Sequence, residues 1–263
     1  MNTTKLLSVA FLGALFPLAA TAECLPTQDC KALGYTDAAC PEQGVKCPFG
    51  NEWFCVGDKN TSSLDCQIGW IYYTDNTCSY DLVSGKKPLG IVVYTYGASG
   101  GGQILAANKT NKGIAWSTEQ TNVPGLTTSS TAQHIMNDRE SCFNTKIITS
   151  YGDQSKYPAA WAAKEYVPVN APETKGKWCL PAAGVLHSIA NNLTAINSAI
   201  DKIGGDPVGG SSLSEENFWS SSGYPGSKYS WAFLKASGYD ATGLGARDRA
   251  GKYYSYVRPV LEY

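Results

Sequence analysis

Short runs of β-branched and aromatic residues alternate with glycine-rich and polar turns from about residue 85 onward. Residues 88–96 (PLGIVVYTY) form one such run, and the glycines within 97–102 lead into a second run at 103–107, so the pair predicts a β-hairpin. Closer to the C-terminus, short strands are predicted at 218–222, 229–234 and 253–261.

Two segments between these strands carry helical signals. Pro158 begins the first, predicted to run to Tyr166, since proline is tolerated in the first turn of a helix. The second begins near Pro181 and is predicted to end at Gly204. Its apolar residues recur at steps of three and four, as Val185, Leu186, Ile189, Leu193, Ile196, Ile200 and Ile203. A strand pair, two helices and then short strands predict an α+β domain.

The first 22 residues have the pattern of a secretory signal peptide. Lys5 precedes an apolar run at 6–20, and small residues at 20–22 (ATA) suit a signal peptidase. The run is shorter than the roughly 20 residues that a membrane-spanning helix needs, so a retained anchor is the weaker alternative. We expect cleavage after Ala22 and a mature protein that is secreted or held at the cell surface without spanning the membrane.

Cysteine is concentrated in a short stretch of the chain. Of nine cysteines, seven lie between residues 24 and 78, namely Cys24, Cys30, Cys40, Cys47, Cys55, Cys66 and Cys78. In an exported protein this density predicts a small disulfide-rich module over residues 23–84, followed by a second domain over residues 85–263. Zinc is the alternative, but the spacings are irregular, no C-x-x-C pair occurs and no histidine lies nearby.

Two disulfide pairs are predicted from position. Cys66 and Cys78 bracket a short aromatic stretch at 69–73 that could form a hairpin closed by its own bridge. Cys142 and Cys179 are paired by exclusion, because no other cysteine follows Cys78. Seven N-terminal cysteines leave one over, which is either free, paired between chains, or joined to the later domain.

Charge and composition exclude several classes of protein. Charged residues make up 16% of the chain and the net charge is -1, so neither a basic surface for nucleic acid nor the acidic excess of a disordered chain is present. The two histidines, His134 and His187, are too few for a histidine metal site, and no P-loop, zinc-protease or EF-hand motif occurs. We expect no metal and no cofactor.

One motif suggests catalysis and is set aside. Residues 97–101 fit the pattern G-x-S-x-G, which in hydrolases places a serine on a turn between a strand and a helix. Here Ser99 lies between two predicted strands, so we interpret it as part of a hairpin turn and expect no enzymatic activity.

The last forty residues are enriched in side chains typical of binding surfaces. They contain seven of the 16 tyrosines and three of the four arginines. Tyrosine and arginine are favoured in interfaces, although a tyrosine-rich sheet that only packs is the alternative. The candidate ligand-binding residues are Tyr224, Lys228, Tyr229, Lys235, Tyr239, Asp240, Arg247, Asp248 and Arg249.

A set of ordered motifs resembles a known family. The motifs are 88–94 (PLGIVVY), 114–118 (IAWST), 144–148 (NTKII), 158–160 (PAA), 178–184 (WCLPAAG), 217–222 (NFWSSS) and 256–260 (YVRPV). Over about residues 85–263 the chain resembles the bacterial major-paralogous-domain family, which is similar to the C-terminal domain of Legionella collagen-like protein. The resemblance implies a C-type-lectin-like fold, with two helices beside a small twisted, mainly antiparallel sheet.

The resemblance also implies roles for individual residues. Trp219, Trp231 and Arg258 would be scaffold, whereas 223–229 and 235–252 would be displayed to a ligand. Some members resemble the variable proteins of diversity-generating retroelements, in which the displayed stretch is rewritten. Val185 departs from the family, which often has an acidic residue there.

Two kinds of metal site known from proteins with a C-type-lectin-like fold receive little support from the sequence. Formylglycine-generating enzymes share the fold, but their copper-binding cysteines lie near the C-terminus, and no cysteine follows Cys179 here. Calcium sites of sugar-binding lectins use clustered carboxylates and amides, and Glu215-Glu216-Asn217 is the one such cluster near the displayed region.

The sequence therefore predicts a secreted or surface-exposed bacterial protein that is not an enzyme. Its partner would be a protein or glycan at a cell surface and not a nucleic acid. A structural subunit of a surface appendage is the first alternative, and an enzyme on a formylglycine-generating-enzyme-like scaffold is the second.

Overall fold

A computed structural model describes the backbone of residues 37–39, 54–56, 66–97, 100–110, 113–209, 217–226, 228–234, 243–250 and 255–263. The predicted signal peptide and cleavage site lie outside the described residues, as do Ser99, Glu215, Glu216, Lys235, Tyr239 and Asp240. Of the seven N-terminal cysteines, Cys24, Cys30, Cys40 and Cys47 also lie outside them, and only the backbone of Cys55 is described.

Contacts divide the chain into two units, Met1–Ser63 and Leu64–Tyr263. In the first unit, strands β1 (Asp37–Ala39) and β2 (Phe54–Val56) pair antiparallel. In chain order, the second unit contains β3 (Ile71–Tyr73), β4 (Cys78–Ser79), β5 (Pro88–Thr95), β6 (Gly102–Leu105), α1 (Ala132–Ile135), α2 (Ser141–Tyr151), α3 (Pro158–Lys164), a 3-10 turn (Pro172–Thr174), α4 (Ala183–Asn191), α5 (Leu193–Lys202), β7 (Asn217–Gly223), β8 (Tyr229–Leu234), β9 (Leu244–Asp248), β10 (Ser255–Tyr256) and β11 (Val260–Glu262).

The first sheet of this unit has five strands in the order β11-β6-β5-β3-β4, and every neighbouring pair is antiparallel. The predicted hairpin is confirmed as β5 and β6. Ile91, Val92 and Val93 of β5 are fully buried, because both faces of the sheet are covered.

The boundary between the units differs from the one expected at residue 84. β3 and β4 precede residue 84, yet β3 hydrogen-bonds to β5, so both strands belong to the same sheet as the later chain. Cys66 and Cys78 form the predicted disulfide within this segment.

The helical region contains more helices than the sequence predicted. The α3 helix is confirmed from Pro158, but the long apolar stripe is divided at Asn192 into α4 and α5. The side-chain amide of Asn192 donates to the carbonyl of Ser188 (2.9 Å), beside this break. Helices α1 and α2 were not predicted.

The second sheet has four strands in the order β10-β7-β8-β9. β7 pairs parallel with β10, whereas the β7–β8 and β8–β9 pairs are antiparallel. Phe218 and Trp231 pack with the core that contains α4, and Trp219 and Ala232 pack in a separate core with Trp116. The strand predicted at 253–261 is therefore two strands, β10 and β11, in different sheets.

The second disulfide, Cys142–Cys179, is also confirmed. It joins the start of α2 to a segment that pairs with β11, since the amide of Cys179 donates to Val260 (2.8 Å) and Val260 donates back (2.9 Å). Together these elements form an α+β unit with mainly antiparallel sheets. Among the described helices, none combines the length and apolar character that crossing a bilayer requires.

Candidate binding surface

The three serines of the NFWSSS motif are buried, and Ser222 joins β7 to the helices. The hydroxyl of Ser222 donates to Asp138 Oδ2 (2.6 Å) and accepts from the amide of Ala183 (2.8 Å) at the start of α4. The side-chain amide of Asn144 in α2 donates to the same Asp138 oxygen (2.8 Å). Because this network lies away from water, each of its bonds constrains the position of β7.

The tryptophan of the same motif is held from the other side of the sheet. The indole of Trp219 donates to the carbonyl of Ile114 (2.7 Å), and the indole of Trp116 donates to the carbonyl of Ser220 (2.8 Å). Trp219 and Trp116 are both almost fully buried. Trp219 therefore belongs to the buried interior.

Arg258, between β10 and β11, is a buried link between three segments. Its guanidinium donates to the carbonyls of Ala106 (2.8 Å), Ala107 (2.6 Å) and Asp206 (2.7 Å). Only 1% of the residue is exposed. The arginine of the YVRPV motif thus lies in the interior.

Trp231 on β8 positions a loop that was not predicted to belong to the binding surface. Its indole donates to the carbonyl of Ser129 (3.0 Å), and the amide of Gly223 donates to the carbonyl of Thr127 (2.9 Å). A Cβ atom at Gly223 would lie 2.7 Å from the methyl group of Thr128, so a larger residue here would require Thr128 to move. Residues 127–131 are therefore fixed beside the end of β7.

The connection between β7 and β8 is exposed at this place. Tyr224 and Tyr229 are in edge-to-face contact, with ring centroids 6.0 Å apart, and the Tyr224 ring also contacts Trp231 (5.4 Å). The ammonium of Lys228 lies 5.4 Å from the centroid of the Tyr229 ring. Tyr229 is 38% exposed, Lys228 is exposed and Tyr224 is half-buried.

We refer to Tyr224, Lys228 and Tyr229, together with the exposed Thr127 and Thr128, as the display tip. It combines two aromatic rings, one cation and two hydroxyl groups from segments about 100 residues apart in sequence. The cluster T-T-S-S-T at 127–131 is the sequence signal that could have indicated the second segment.

The two predicted ligand residues on β9 lie on opposite faces of the sheet. Asp248 is opposite Tyr229 in the register, whereas Arg247 is opposite Ser230. Because neighbouring side chains on a strand alternate in direction, Asp248 shares a face with Tyr229 and Arg247 does not. Both are half-buried. The structure brings together only part of the predicted set.

Arg249, also predicted as a ligand residue, is not displayed. It is 1% exposed; its Nε donates to the carbonyl of Tyr229 (2.7 Å) and its Nη1 to the carbonyl of Thr121 (2.5 Å). The guanidinium carbon lies 4.5 Å from the centroid of the Trp116 ring. Burial lowers the pKa of this guanidinium. Arg249 is therefore buried, whereas the sequence predicted it on the displayed surface, because the residues that bury it are distant in sequence.

Other sequence candidates do not form a catalytic or metal site. His134 is exposed, and His187 contacts the side-chain amide of Asn191 one turn along α4 (3.0 Å). Within the part of the chain that the structure describes, no three residues among His, Cys, Asp and Glu lie together as metal ligands would.

A separate groove of about 340 Å³ lies between the loop after β4 and the end of α5. Leu82 and Val83 line it and are exposed by 49% and 38%. Lys202 lines the other side and pairs with Asp81 (2.9 Å). This groove was not predicted from the sequence.

Comparison with known proteins gives one informative likeness. No protein-family model matches the chain, and no curated protein matches it. A solved structure of a fimbrial protein from Bacteroides ovatus is similar, with a TM-score of 0.50 and 15% sequence identity. The match covers 75% of this chain and 49% of that protein, so the chain spans about half the length of its structural relative. At this identity the likeness shows a shared fold only.

Proposed function

We propose that this chain is an exported, non-enzymatic protein of the bacterial cell surface that binds a partner through the display tip. The observation that carries the proposal is the contrast between that tip and its support. Tyr229 and Lys228 are exposed, whereas the neighbouring Trp219, Trp231 and Ser222 are buried and hydrogen-bonded. A rigid base beneath exposed aromatic rings reduces the ordering cost of binding.

The composition of the tip favours a protein or glycan partner. Tyrosine supplies a large rigid contact area at low entropic cost, and small hydroxyl residues supply adaptable hydrogen bonds. One cation, Lys228, on a chain with net charge -1 does not provide the phosphate-binding surface that nucleic acid requires.

A C-type-lectin-like fold remains part of this proposal. It is supported by the buried positions of Trp219, Trp231 and Arg258, which the family resemblance assigns to scaffold. If a retroelement rewrites the displayed stretch, we expect changes at exposed positions such as Lys228 and Tyr229, and constancy at Arg249.

A structural subunit of a surface appendage is the second candidate. The similarity to a fimbrial protein favours it, because that relative bears the name of an appendage component. In this case the exposed groove beside Leu82 and Val83, or the display tip itself, would contact a neighbouring subunit.

The test compares wild type with a tip variant, Tyr224→Ala/Tyr229→Ala, and a matched control, Tyr80→Ala/Tyr151→Ala. The control removes two tyrosines that are 59% and 50% exposed elsewhere on the same unit. All three proteins are screened against a glycan microarray and against extracellular protein domains displayed on yeast. We expect the tip variant to lose about 30-fold or more in affinity for any glycan or protein that the wild type binds, because aromatic anchors dominate binding.

Equal binding by the tip variant and the control would place the site elsewhere. If wild type binds nothing but the exported protein assembles into fibres under the electron microscope, the appendage-subunit function replaces the proposed one.

A further inference from the structure

Two bonds from Arg249 end on the backbone of the display tip. Its amide donates to the carbonyl of Lys228 (2.9 Å), which continues the β8–β9 pairing by one residue. Its side-chain Nε donates to the carbonyl of Tyr229 (2.7 Å). The same residue therefore holds consecutive peptide groups at the exposed start of β8.

The other contacts of Arg249 end on a segment more than 120 residues earlier. Its Nη1 donates to Thr121, and its planar guanidinium lies over the Trp116 ring. Its own carbonyl accepts from the amides of Trp116 (2.9 Å) and Ser117 (3.3 Å). Arg249 thus bonds simultaneously to residues 116–121 and to residues 228–229.

These contacts leave Arg249 little freedom to turn toward solvent. A buried guanidinium is costly unless its donors are bonded, and bonds from a charged donor are stronger than neutral ones. Only arginine combines a planar stacking surface with several donors in a fixed fork, so lysine cannot reproduce the arrangement.

We infer that Arg249 is a positioning residue of the display tip, which fixes the backbone of Lys228 and Tyr229 against the segment 116–121. The tip conformation then depends on Arg249 and Trp116, which are buried and do not belong to the display tip. The conformational role stands independently, whereas its consequence for partner binding rests on the proposed function.

Amide hydrogen exchange, followed by mass spectrometry, tests the inference without a ligand. The proteins are wild type, Arg249→Lys and the matched control Arg258→Lys, which changes another arginine that is 1% exposed and bonds to carbonyls. We expect Arg249→Lys to speed exchange in peptides covering 228–232 at least about tenfold more than in peptides covering 91–93. Arg258→Lys should instead affect peptides covering 104–108.

Faster exchange by the same factor in every peptide of Arg249→Lys would overturn the inference, because it would report only a global loss of stability. Unchanged exchange at 228–232 would overturn it as well. If Arg249→Lys does not fold, Trp116→Phe keeps the arginine and leaves it a smaller ring on which to stack, although it also removes the indole bond to Ser220. We then expect the same local pattern with a smaller factor.

The two proposals fail in different experiments. Suppose that Arg249→Lys speeds exchange at 228–232 but binds a partner of the wild-type protein with unchanged affinity; this would refute only the consequence for binding. If the variant Tyr224→Ala/Tyr229→Ala kept its affinity for that partner, the proposed function would be refuted and the exchange result would still stand.

Discussion

The hydroxyl of Ser222 and the carboxylate of Asp138 lie 84 residues apart in sequence and form a 2.6 Å hydrogen bond in the buried interior. This bond joins the centre of the second sheet to the turn before α2. Ser222 also accepts a bond from Ala183, so its hydroxyl links three parts of the unit.

We predict that Ser222→Ala lowers the free energy of unfolding by about 1–3 kcal/mol. The change leaves the Asp138 carboxylate and the Ala183 amide without one partner each, and buried unsatisfied groups cost about this much. Chemical denaturation measures the change. Ser130→Ala, at an exposed serine, is the control and should have an effect within about 0.5 kcal/mol. Equal effects of the two variants would contradict the prediction.

Arg258→Met should destabilise the protein by about 3 kcal/mol or more, because the carbonyls of Ala106, Ala107 and Asp206 lose charged donors. Lys86→Met provides the comparison, since it removes a partly exposed ion pair with Asp75 and should cost at most about 1 kcal/mol. Denaturant titrations of both variants give the two values. A smaller loss for Arg258→Met than for Lys86→Met would be inconsistent with the buried role of Arg258.

The two disulfides should differ in their contribution to stability. Cys142–Cys179 closes 37 residues and Cys66–Cys78 closes 12, so the chain-entropy model gives the longer loop about 1 kcal/mol more stabilisation. We expect the double variant Cys142→Ala/Cys179→Ala to unfold at lower denaturant concentration than Cys66→Ala/Cys78→Ala. The reverse order would show that poorer packing around the replaced cysteines outweighs loop entropy.

Alkaline pH should destabilise the unit through its buried tyrosines. Burial, followed by the charge of Asp75, raises the pKa of Tyr72 to about 12. Burial is also the main cause that raises the pKa of Tyr263, whose ring lies 4.4 Å from that of Tyr72. An unfolded tyrosine ionises near pH 10, so the stabilisation is complete below pH 10 and is lost as the pH rises toward 12.

Thermal unfolding between pH 8 and pH 11.5, together with ultraviolet titration of the phenols, measures this dependence. Tyr72→Phe should reduce the alkaline loss of stability, because it removes one of the shifted groups. An unchanged pH dependence in Tyr72→Phe would exclude Tyr72 as a contributor.

Substitution by alanine should destabilise the protein less at the display tip than at the buried residues beneath it. We expect Trp219→Ala and Trp231→Ala to cost about 3–5 kcal/mol, because both side chains are buried. Tyr229→Ala should cost no more than about 1 kcal/mol of unfolding free energy. Arg249→Ala should cost as much as the two tryptophan variants, because Arg249 is also buried. Thermal unfolding of the four variants gives the ranking. A loss for Tyr229→Ala as large as for Trp219→Ala would identify the tyrosine-rich segment as core.

Elements with apolar patterns could be predicted from the sequence. The run at 88–96 contains β5, and the apolar stripe through Val185 and Ile196 is buried. The break between the two helices at Asn192 was not detected, because the apolar residues keep the same spacing across it. Helix α2 was missed because its buried face includes Ser141, Asn144 and Thr145, which hydrophobic periodicity does not record.

The binding surface was only partly predictable for a related reason. Tyr229 and Arg249 are both favoured in interfaces, and composition alone gives them equal weight. What separates them is the Trp116 ring and the Thr121 carbonyl, which the fold brings to Arg249 from more than 120 residues away. Likewise, Thr127 and Thr128 join the tip through contacts with residues distant in sequence, namely Gly223 and the bond from Trp231 to Ser129.

The division of residues 255–262 between two sheets has a consequence for the order of folding. β10 supplies the last strand of one sheet and β11 the last strand of the other, with Arg258 between them. Neither sheet can therefore be completed until this segment has been synthesised. Both must close after most of the chain has emerged, so long-range pairing and not local hairpin formation should limit the folding rate of this unit.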